Sequence, residues 1–143
     1  MQITKCTQKD ARAISEMESA YIECPWSEQE VLASIENPLY VFFKAEEDEL
    51  IGYVGVEYCL DEGNICNVAV NDAFRRLGIA TKLLVALEKD AIERGIVKLF
   101  LEVNEKNTPA IALYEKLGYK QISKRNNYYG KETALILCKN IKE

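Results

Sequence analysis

Between Asn67 and Leu84 the sequence passes from an apolar strand, Asn67-Val68-Ala69-Val70, through a basic turn, Arg75-Arg76-Leu77-Gly78, into an amphipathic helix opening with Ile79-Ala80-Thr81. A helix that starts in this way presents unpaired N–H groups and the positive end of its dipole, which together bind phosphate. Gly78 lets the backbone approach an anion closely, Ala80 keeps the next turn narrow, and Arg75 and Arg76 add positive charge. It is not a Walker loop, because no Gly-Lys-Ser/Thr follows, nor a dinucleotide fingerprint, because the Gly-x-Gly is missing. Taken alone, the same residues also describe a solvated basic helix start. Glu102 is a second chemical candidate. It lies in the run Lys98-Leu99-Phe100-Leu101-Glu102-Val103, and a carboxylate on a mostly buried strand is costly without a partner. Tyr114 falls on the apolar face of a later helix, where a tyrosine is usually core with its hydroxyl at the rim. Asn107 stands where asparagine commonly begins a helix.

What is missing narrows the chemistry further. The chain has no histidine, which removes every Ser-His-Asp or Cys-His mechanism. No metal site is expected, since a His/Cys zinc centre lacks half its ligands and no cysteine pair is spaced Cys-x-x-Cys. The five cysteines are read as mostly small core residues of a reduced, cytoplasmic protein, with Cys24 and Cys66 as core thiols and not nucleophiles.

The elements that must position these residues are legible from periodicity and caps. Gln2–Cys6 alternates as a first strand, and Thr7, with Asp10 three residues on, caps a helix carrying Ala11, Ile14, Met17 and Glu18 at helical spacing. Ser27-Glu28-Gln29-Glu30 is a capping box for a second helix, ended by Asn37-Pro38. Strands over 39–45 and 50–58 form a hairpin around the acidic turn 46–49, and a third strand covers 65–70. A helix with Ile79, Leu83, Leu87 and Ala91 at four-residue steps closes at Arg94-Gly95, and 98–103 forms a buried strand. Thr108-Pro109 opens the last helix as cap and first residue, and strands over 119–125 and 133–139 finish the chain. The order β-α-α-β-β-β-α-β-α-β-β is a mixed α/β fold, parallel where a helix crosses between strands.

One domain, residues 1–143, accommodates all of this, and no stretch is apolar for long enough to span a membrane. The N-terminus lacks the basic-then-apolar pattern of a signal peptide. A formal charge of −5 argues against gripping nucleic acid by its phosphates and suits a basic partner or an amine substrate, or else only keeps the protein soluble.

Arg75-Arg76-Leu77-Gly78-Ile79-Ala80 resembles the Arg/Gln-x-x-Gly-x-Gly/Ala acetyl-coenzyme A loop of the GNAT N-acetyltransferases, and Asn67-Val68-Ala69-Val70 resembles that superfamily's pantetheine-holding strand. Pro25-Trp26-Ser27, Leu101-Glu102-Val103, Asn107, Ala110–Glu115, Leu117-Gly118-Tyr119 and Arg125–Tyr129 resemble the RimI group, which acetylates the N-terminal alanine of a small-subunit ribosomal protein. The resemblance implies a GNAT fold: a mostly antiparallel sheet with a parallel pair splayed at the cofactor site, and helices on both faces. It also implies acetyl-CoA as co-substrate, contacted by the backbone of Val68, Ala69 and Val70, by Arg76, Leu77, Gly78, Ile79, Ala80 and Thr81 at the pyrophosphate, and by Asn107. Glu102 matches the general base and Tyr114 the general acid.

The implied partner is a basic protein N-terminus, with Glu57, Asp61 and Glu62 either placed to attract it or forming only a solvated turn, and Trp26, Tyr128 and Tyr129 as walls of a peptide groove or as ordinary packing. A small amine such as a polyamine or aminoglycoside is the alternative acceptor, and a non-catalytic acyl-CoA-binding module the alternative class. The sequence departs from the RimI pattern at Arg75-Arg76-Leu77-Gly78, at Asn104 where an arginine is common, and over 129–134, where the tail is shorter.

Overall fold

The computed structural model describes residues 1–22, 25–126 and 132–142. The elements follow the expected order: β1 (Gln2–Lys5), α1 (Ala11–Tyr21), α2 (Glu28–Glu36), β2 (Tyr40–Glu46), β3 (Leu50–Cys59), β4 (Glu62–Val70), α3 (Ile79–Glu93), β5 (Lys98–Asn104), α4 (Thr108–Lys116), β6 (Lys120–Arg125) and β7 (Ala134–Asn140). Local chemistry sets most boundaries. The Ser27 hydroxyl accepts the Glu30 N–H, and the Glu30 carboxylate accepts the Ser27 N–H, both at 3.1 Å, so α2 starts on a closed capping box. At the end of α3, Gly95 turns left-handed at φ 81° and Ile96 donates back to Ala91 at 3.0 Å.

Two caps differ from expectation. Thr7 closes a short 3-10 turn over Gln8–Asp10 ahead of α1, its N–H donating to Asp10 at 2.8 Å. The cap of α4 is Asn107, not Thr108: its side-chain oxygen accepts the Ala110 N–H at 3.3 Å, and an asparagine amide oxygen reaches that N–H more readily than a residue already inside the helix.

The sheet runs β1-β2-β3-β4-β5-β7-β6, antiparallel throughout except between β4 and β5. The β4–α3–β5 crossover makes that pair parallel, and β7 then inserts between β5 and β6, antiparallel to both. One face is covered by α1 and α2 through Ala11, Ile14, Met17, Val31, Phe42, Tyr53 and Ala69. The other carries α3, whose Leu83, Leu84 and Leu87 are fully buried and stabilise by roughly 1.5–3 kcal/mol each, with Leu113, Tyr114 and Leu117 of α4 packed against the same cluster. Among the described residues no helix is long and apolar enough to cross a membrane.

Candidate active site

The parallel pair is joined at one end only. Glu62, Gly63 and Asn64 pair with Lys98, Leu99 and Phe100, and beyond them β4 and β5 part. A bulge explains the divergence: Gly55 faces Asn67 while Val56 faces Ile65, so Cys66 is an extra residue and β4 bends there. Past the bulge, Asn71 donates to Ile51 of β3 at 2.8 Å. Pairing alternates along an antiparallel ladder, so Val68 and Val70 turn their own N–H and C=O groups away from β3, toward the edge that β5 leaves open.

A cleft of about 720 Å³ lies along this edge. It is lined by Val68, Ala69 and Val70 of β4, by Arg76, Gly78, Ile79, Ala80 and Thr81 of the basic loop and helix start, and by Asn107 and Tyr114. Nine of the ten residues expected to contact acetyl-CoA therefore meet in one cavity. Leu77 does not; it points outward at 62% exposure, because the chain is left-handed on either side of it, at Arg76 (φ 67°) and Gly78 (φ 74°). The first intrahelical bond of α3 runs from the Lys82 N–H to the Gly78 carbonyl, so the N–H groups of Ile79, Ala80 and Thr81 have no helical partner and open on the cleft. A Cβ placed on Gly78 would meet nothing within 4 Å, which leaves the approach to these donors clear.

Arg75 has another task. Its guanidinium pairs with Asp72 at 2.9 Å, donates to the Val70 carbonyl at 3.3 Å and sits 5.0 Å from the centre of the Tyr21 ring. Tyr21 in turn accepts the Asp72 N–H at 3.0 Å. This latch ties the loop to β4 and to the end of α1; Arg75 and Arg76 both line the cleft, and Arg75 is the one held in the latch. Tyr21, Phe74 and Leu113 also line the cavity and were not expected there. Their apolar character gave no signal, since only the packing of α1 against the loop puts Tyr21 at the site.

Tyr114 faces the cleft from α4, its ring edge-on to Tyr119 at 6.0 Å between centroids. Burial raises its phenol above the ordinary value, so the hydroxyl keeps its proton at neutral pH. Glu102 is not buried, which overturns the reason first given for noticing it. Strand alternation sends Leu99, Leu101 and Val103 into the α3 core and Glu102 to the opposite face, where its side chain is 43% exposed and pairs with Arg125 at 2.9 Å. Glu102 and Tyr114 thus stand on opposite faces of the sheet, one on each side of the gap.

Asn107 both caps α4 and lines the cavity. Trp26 packs edge-on against Tyr40 and Phe42, at 6.3 Å to each, on the α1–α2 face. Glu62 lies beside Lys98, with Asp61 next to it, at the closed end of the gap, while Glu57 sits on β3 opposite Tyr40 and Asn64. Asn104 donates to Glu132, and Lys106 pairs with Glu132 at 3.0 Å. Burial first, and Glu57 second, push the Cys66 thiol up to about 12, so it is no nucleophile. Cys24, Tyr128 and Tyr129 lie outside the described residues, and among those described no three metal-ligating side chains cluster.

Comparison with known proteins agrees with this architecture. The [Ribosomal protein bS18]-alanine N-acetyltransferase of Haemophilus ducreyi is 36% identical over 142 residues, covering 95% of this chain and 97% of that protein. The crystal structure of the ribosomal-protein-S18-alanine N-acetyltransferase from Escherichia coli superposes with a TM-score of 0.90 at 32% identity, covering 99% of this chain and 94% of that one. An aminoglycoside 6'-N-acetyltransferase complexed with coenzyme A shares the fold at a TM-score of 0.86 and 22% identity, covering 100% of this chain and 98% of that one. With the family model described as "Acetyltransferase (GNAT) family" matching residues 5–119, the chain belongs to the GNAT acetyltransferases.

Proposed function

We propose that this protein transfers the acetyl group of acetyl-CoA to the α-amine of an N-terminal alanine on ribosomal protein bS18, acting in the cytoplasm. The observation that carries the reading is the gap between β4 and β5, with a phosphate-binding helix start at one end, a phenol on one face and a carboxylate on the other. Relatives named for bS18-alanine acetylation, matching nearly the full length of the chain, support the choice of acceptor.

The cleft fits a coenzyme A moiety in size and in the character of its donors. In this reading the N–H groups of Ile79, Ala80 and Thr81 hold the pyrophosphate with Arg76 as counter-charge, and Asn107 offers its amide nitrogen while its oxygen caps α4. The outward backbone of Val68 and Val70 pairs with the pantetheine arm as a missing strand would. When bound, acetyl-CoA supplies the acetyl group activated as a thioester.

Glu102, facing the acceptor side, takes the proton from the attacking amine, directly or through one water, as its exposure allows. Tyr114 holds a proton at its hydroxyl for the departing sulfur, and its raised pKa keeps that proton in place until it is needed. An α-amine, with an ordinary pKa near ~8 against ~10.4 for lysine, is deprotonated readily enough for a carboxylate base to suffice.

The test is release of free coenzyme A from acetyl-CoA with three acceptors offered side by side. They are a basic peptide with a free N-terminal alanine, the same peptide blocked at its N-terminus but carrying an internal lysine, and spermidine. Turnover on the free-alanine peptide alone is expected. Turnover on spermidine alone would replace the acceptor, and silence on all three with acetyl-CoA still bound would refute the catalytic reading.

A further inference from the structure

Among the described residues, one charged side chain on the α1–α2 face is completely buried. Glu18 sits in the last turns of α1 at 0% exposure, in an apolar cluster that includes Ile14, Met17, Val31 and Phe42. A methionine or leucine would fill this place without the cost of dehydrating a carboxylate. The carboxylate is instead held by three neutral donors from three separate parts of the chain. One oxygen accepts the Trp26 backbone N–H at 2.8 Å. The other accepts the Tyr53 hydroxyl at 2.6 Å and the Asn67 side-chain amide at 2.8 Å. One turn earlier on α1, Ser15 donates to the Trp26 carbonyl at 3.1 Å, so the same helix grips Trp26 by both of its peptide groups.

The partners are not a random sample of the core. Asn67 adjoins Cys66, the bulged residue at which β4 leaves β5, and precedes the Val68–Val70 edge. Trp26 carries the aromatic wall formed with Tyr40 and Phe42. Both Asn67 and Ala69 turn their side chains to the α1–α2 face, the face on which Glu102 is exposed. A single buried carboxylate therefore fastens the loop on the acceptor side to the strand on the cofactor side. Tyr53, the third donor, braces the carboxylate from β3 without lining the cleft.

We propose that Glu18 is a positioning residue for the transfer reaction: it fixes the distance between the Trp26 wall, against which the acceptor peptide lies, and the bulged β4 edge, along which the acetyl group is presented. The inference rests on the acetyltransferase reading above and adds to it a residue that touches neither substrate. It separates binding of the two substrates, because none of the three donors to Glu18 belongs to the loop and helix start over 72–81, which are held by contacts of their own, Arg75 to Asp72 and Val70 and Tyr21 to the Asp72 N–H.

The experiment is steady-state kinetics on the free-alanine peptide, with acetyl-CoA affinity measured separately by titration calorimetry and folding by thermal melting. Glu18→Gln keeps the side chain's length but offers one acceptor oxygen in place of two, so either Trp26 or the Tyr53–Asn67 pair loses its partner. The expected result is a peptide kcat/KM lower by about tenfold with the acetyl-CoA Kd within about twofold of wild type, since small misplacements of one reactant are costly. Tyr53→Phe is the control: it removes one bond from the same carboxylate, lowers the melting temperature, and leaves the peptide kinetics near wild type.

Equal kinetic behaviour of Glu18→Gln and Tyr53→Phe, or a parallel loss of peptide turnover and acetyl-CoA affinity, would reduce Glu18 to a core residue. If Glu18→Gln does not fold, Ser15→Ala decides, because it loosens Trp26 without touching the buried charge. A peptide KM raised a few-fold supports the clamp, and an unchanged KM refutes it. A wild-type protein silent on the peptide would overturn the acceptor reading, and the inference with it. A wild type that turns over beside a Glu18→Gln variant of equal activity would overturn the inference alone.

Discussion

Gly78 and Gly95 form a matched pair from which the loop's role can be read. Each bounds α3, Gly78 at its start with φ 74° and Gly95 beyond its end with φ 81°, and a Cβ on either would meet nothing within 4 Å. Alanine at either position therefore carries the same penalty, that of holding an L-residue left-handed, about 1–2 kcal/mol. In a chain of this size that lowers the melting temperature by roughly 3–8 °C. The two sites differ only in what the open space is for. Beside Gly78 it leads to the unpaired N–H groups of Ile79, Ala80 and Thr81, whereas beside Gly95 the helix end is already closed by the Ile96-to-Ala91 bond.

A methyl group at 78 should push a bound phosphate off at least one of these donors. A hydrogen bond to a charged group is worth about 1.5–3 kcal/mol, so acetyl-CoA affinity should fall by roughly 10- to 150-fold. Calorimetric titration of coenzyme A into both variants, with melting curves alongside, separates the effects. Gly95→Ala should show the stability loss with an unchanged Kd, and Gly78→Ala the same loss with the weakened Kd. Equal affinities in the two variants would mean that the helix start does not hold the pyrophosphate.

Tyr114→Phe should lower kcat by about 100-fold at constant acetyl-CoA affinity, measured by coenzyme A release and titration, and an unchanged kcat would return the residue to the core. Glu102→Gln should reduce kcat/KM for the peptide most at the acidic end of the pH profile, where the amine most needs a base, and a profile of wild-type shape would remove Glu102 from that role. Stability should be level up to about pH 9 and then decline through pH 12 in thermal melts. The Cys6 and Cys66 thiols are raised by burial from 9.0 to about 12, and Tyr53, Tyr58 and Tyr119 are raised above 10.0. Groups of this sign favour the fold only while protonated, so their contribution is intact below the unfolded pKa and lost as pH climbs through the folded one.

Much of the fold could be read from the sequence because the signals are local. The Ser27 box, the Gly95 stop and the acidic hairpin at 46–49 each satisfy backbone groups within a few residues of themselves. The loop proposed to bind phosphate belongs to the same class, since strand, turn and helix start are contiguous. What escaped depends on contacts between distant segments. The run 98–103 looks continuously apolar, yet only alternate residues are buried, and whether Glu102 faces the core or solvent is set by the placement of α3. Arg75 looks like a second phosphate ligand until Asp72, Val70 and Tyr21 are seen to occupy it. Glu18 falls on the apolar stripe of α1 with no hint that its partners stand 8, 35 and 49 residues away.

The gap between β4 and β5 owes its shape to two opposed devices on the same strand. At its closed end Gly63 allows β4 and β5 to approach: a Cβ there would lie 2.7 Å from Leu99 and 3.2 Å from the Tyr58 ring, closer than packed atoms tolerate. Three residues later the extra residue at Cys66 bends β4 away and leaves the outward backbone groups of Val68 and the N–H of Val70 without a strand partner, the Val70 carbonyl being taken by Arg75. Edge groups of this kind usually invite another strand, and a sheet this size would gain by pairing them. That they stay open beside a preformed cleft, with Glu18 holding the bend from one face and Arg75 latching the loop from the other end, argues that the gap is built for an extended ligand. The reaction then needs little from the side chains themselves. In the proposed mechanism a base on one face and an acid on the other suffice once the strand has been opened and held.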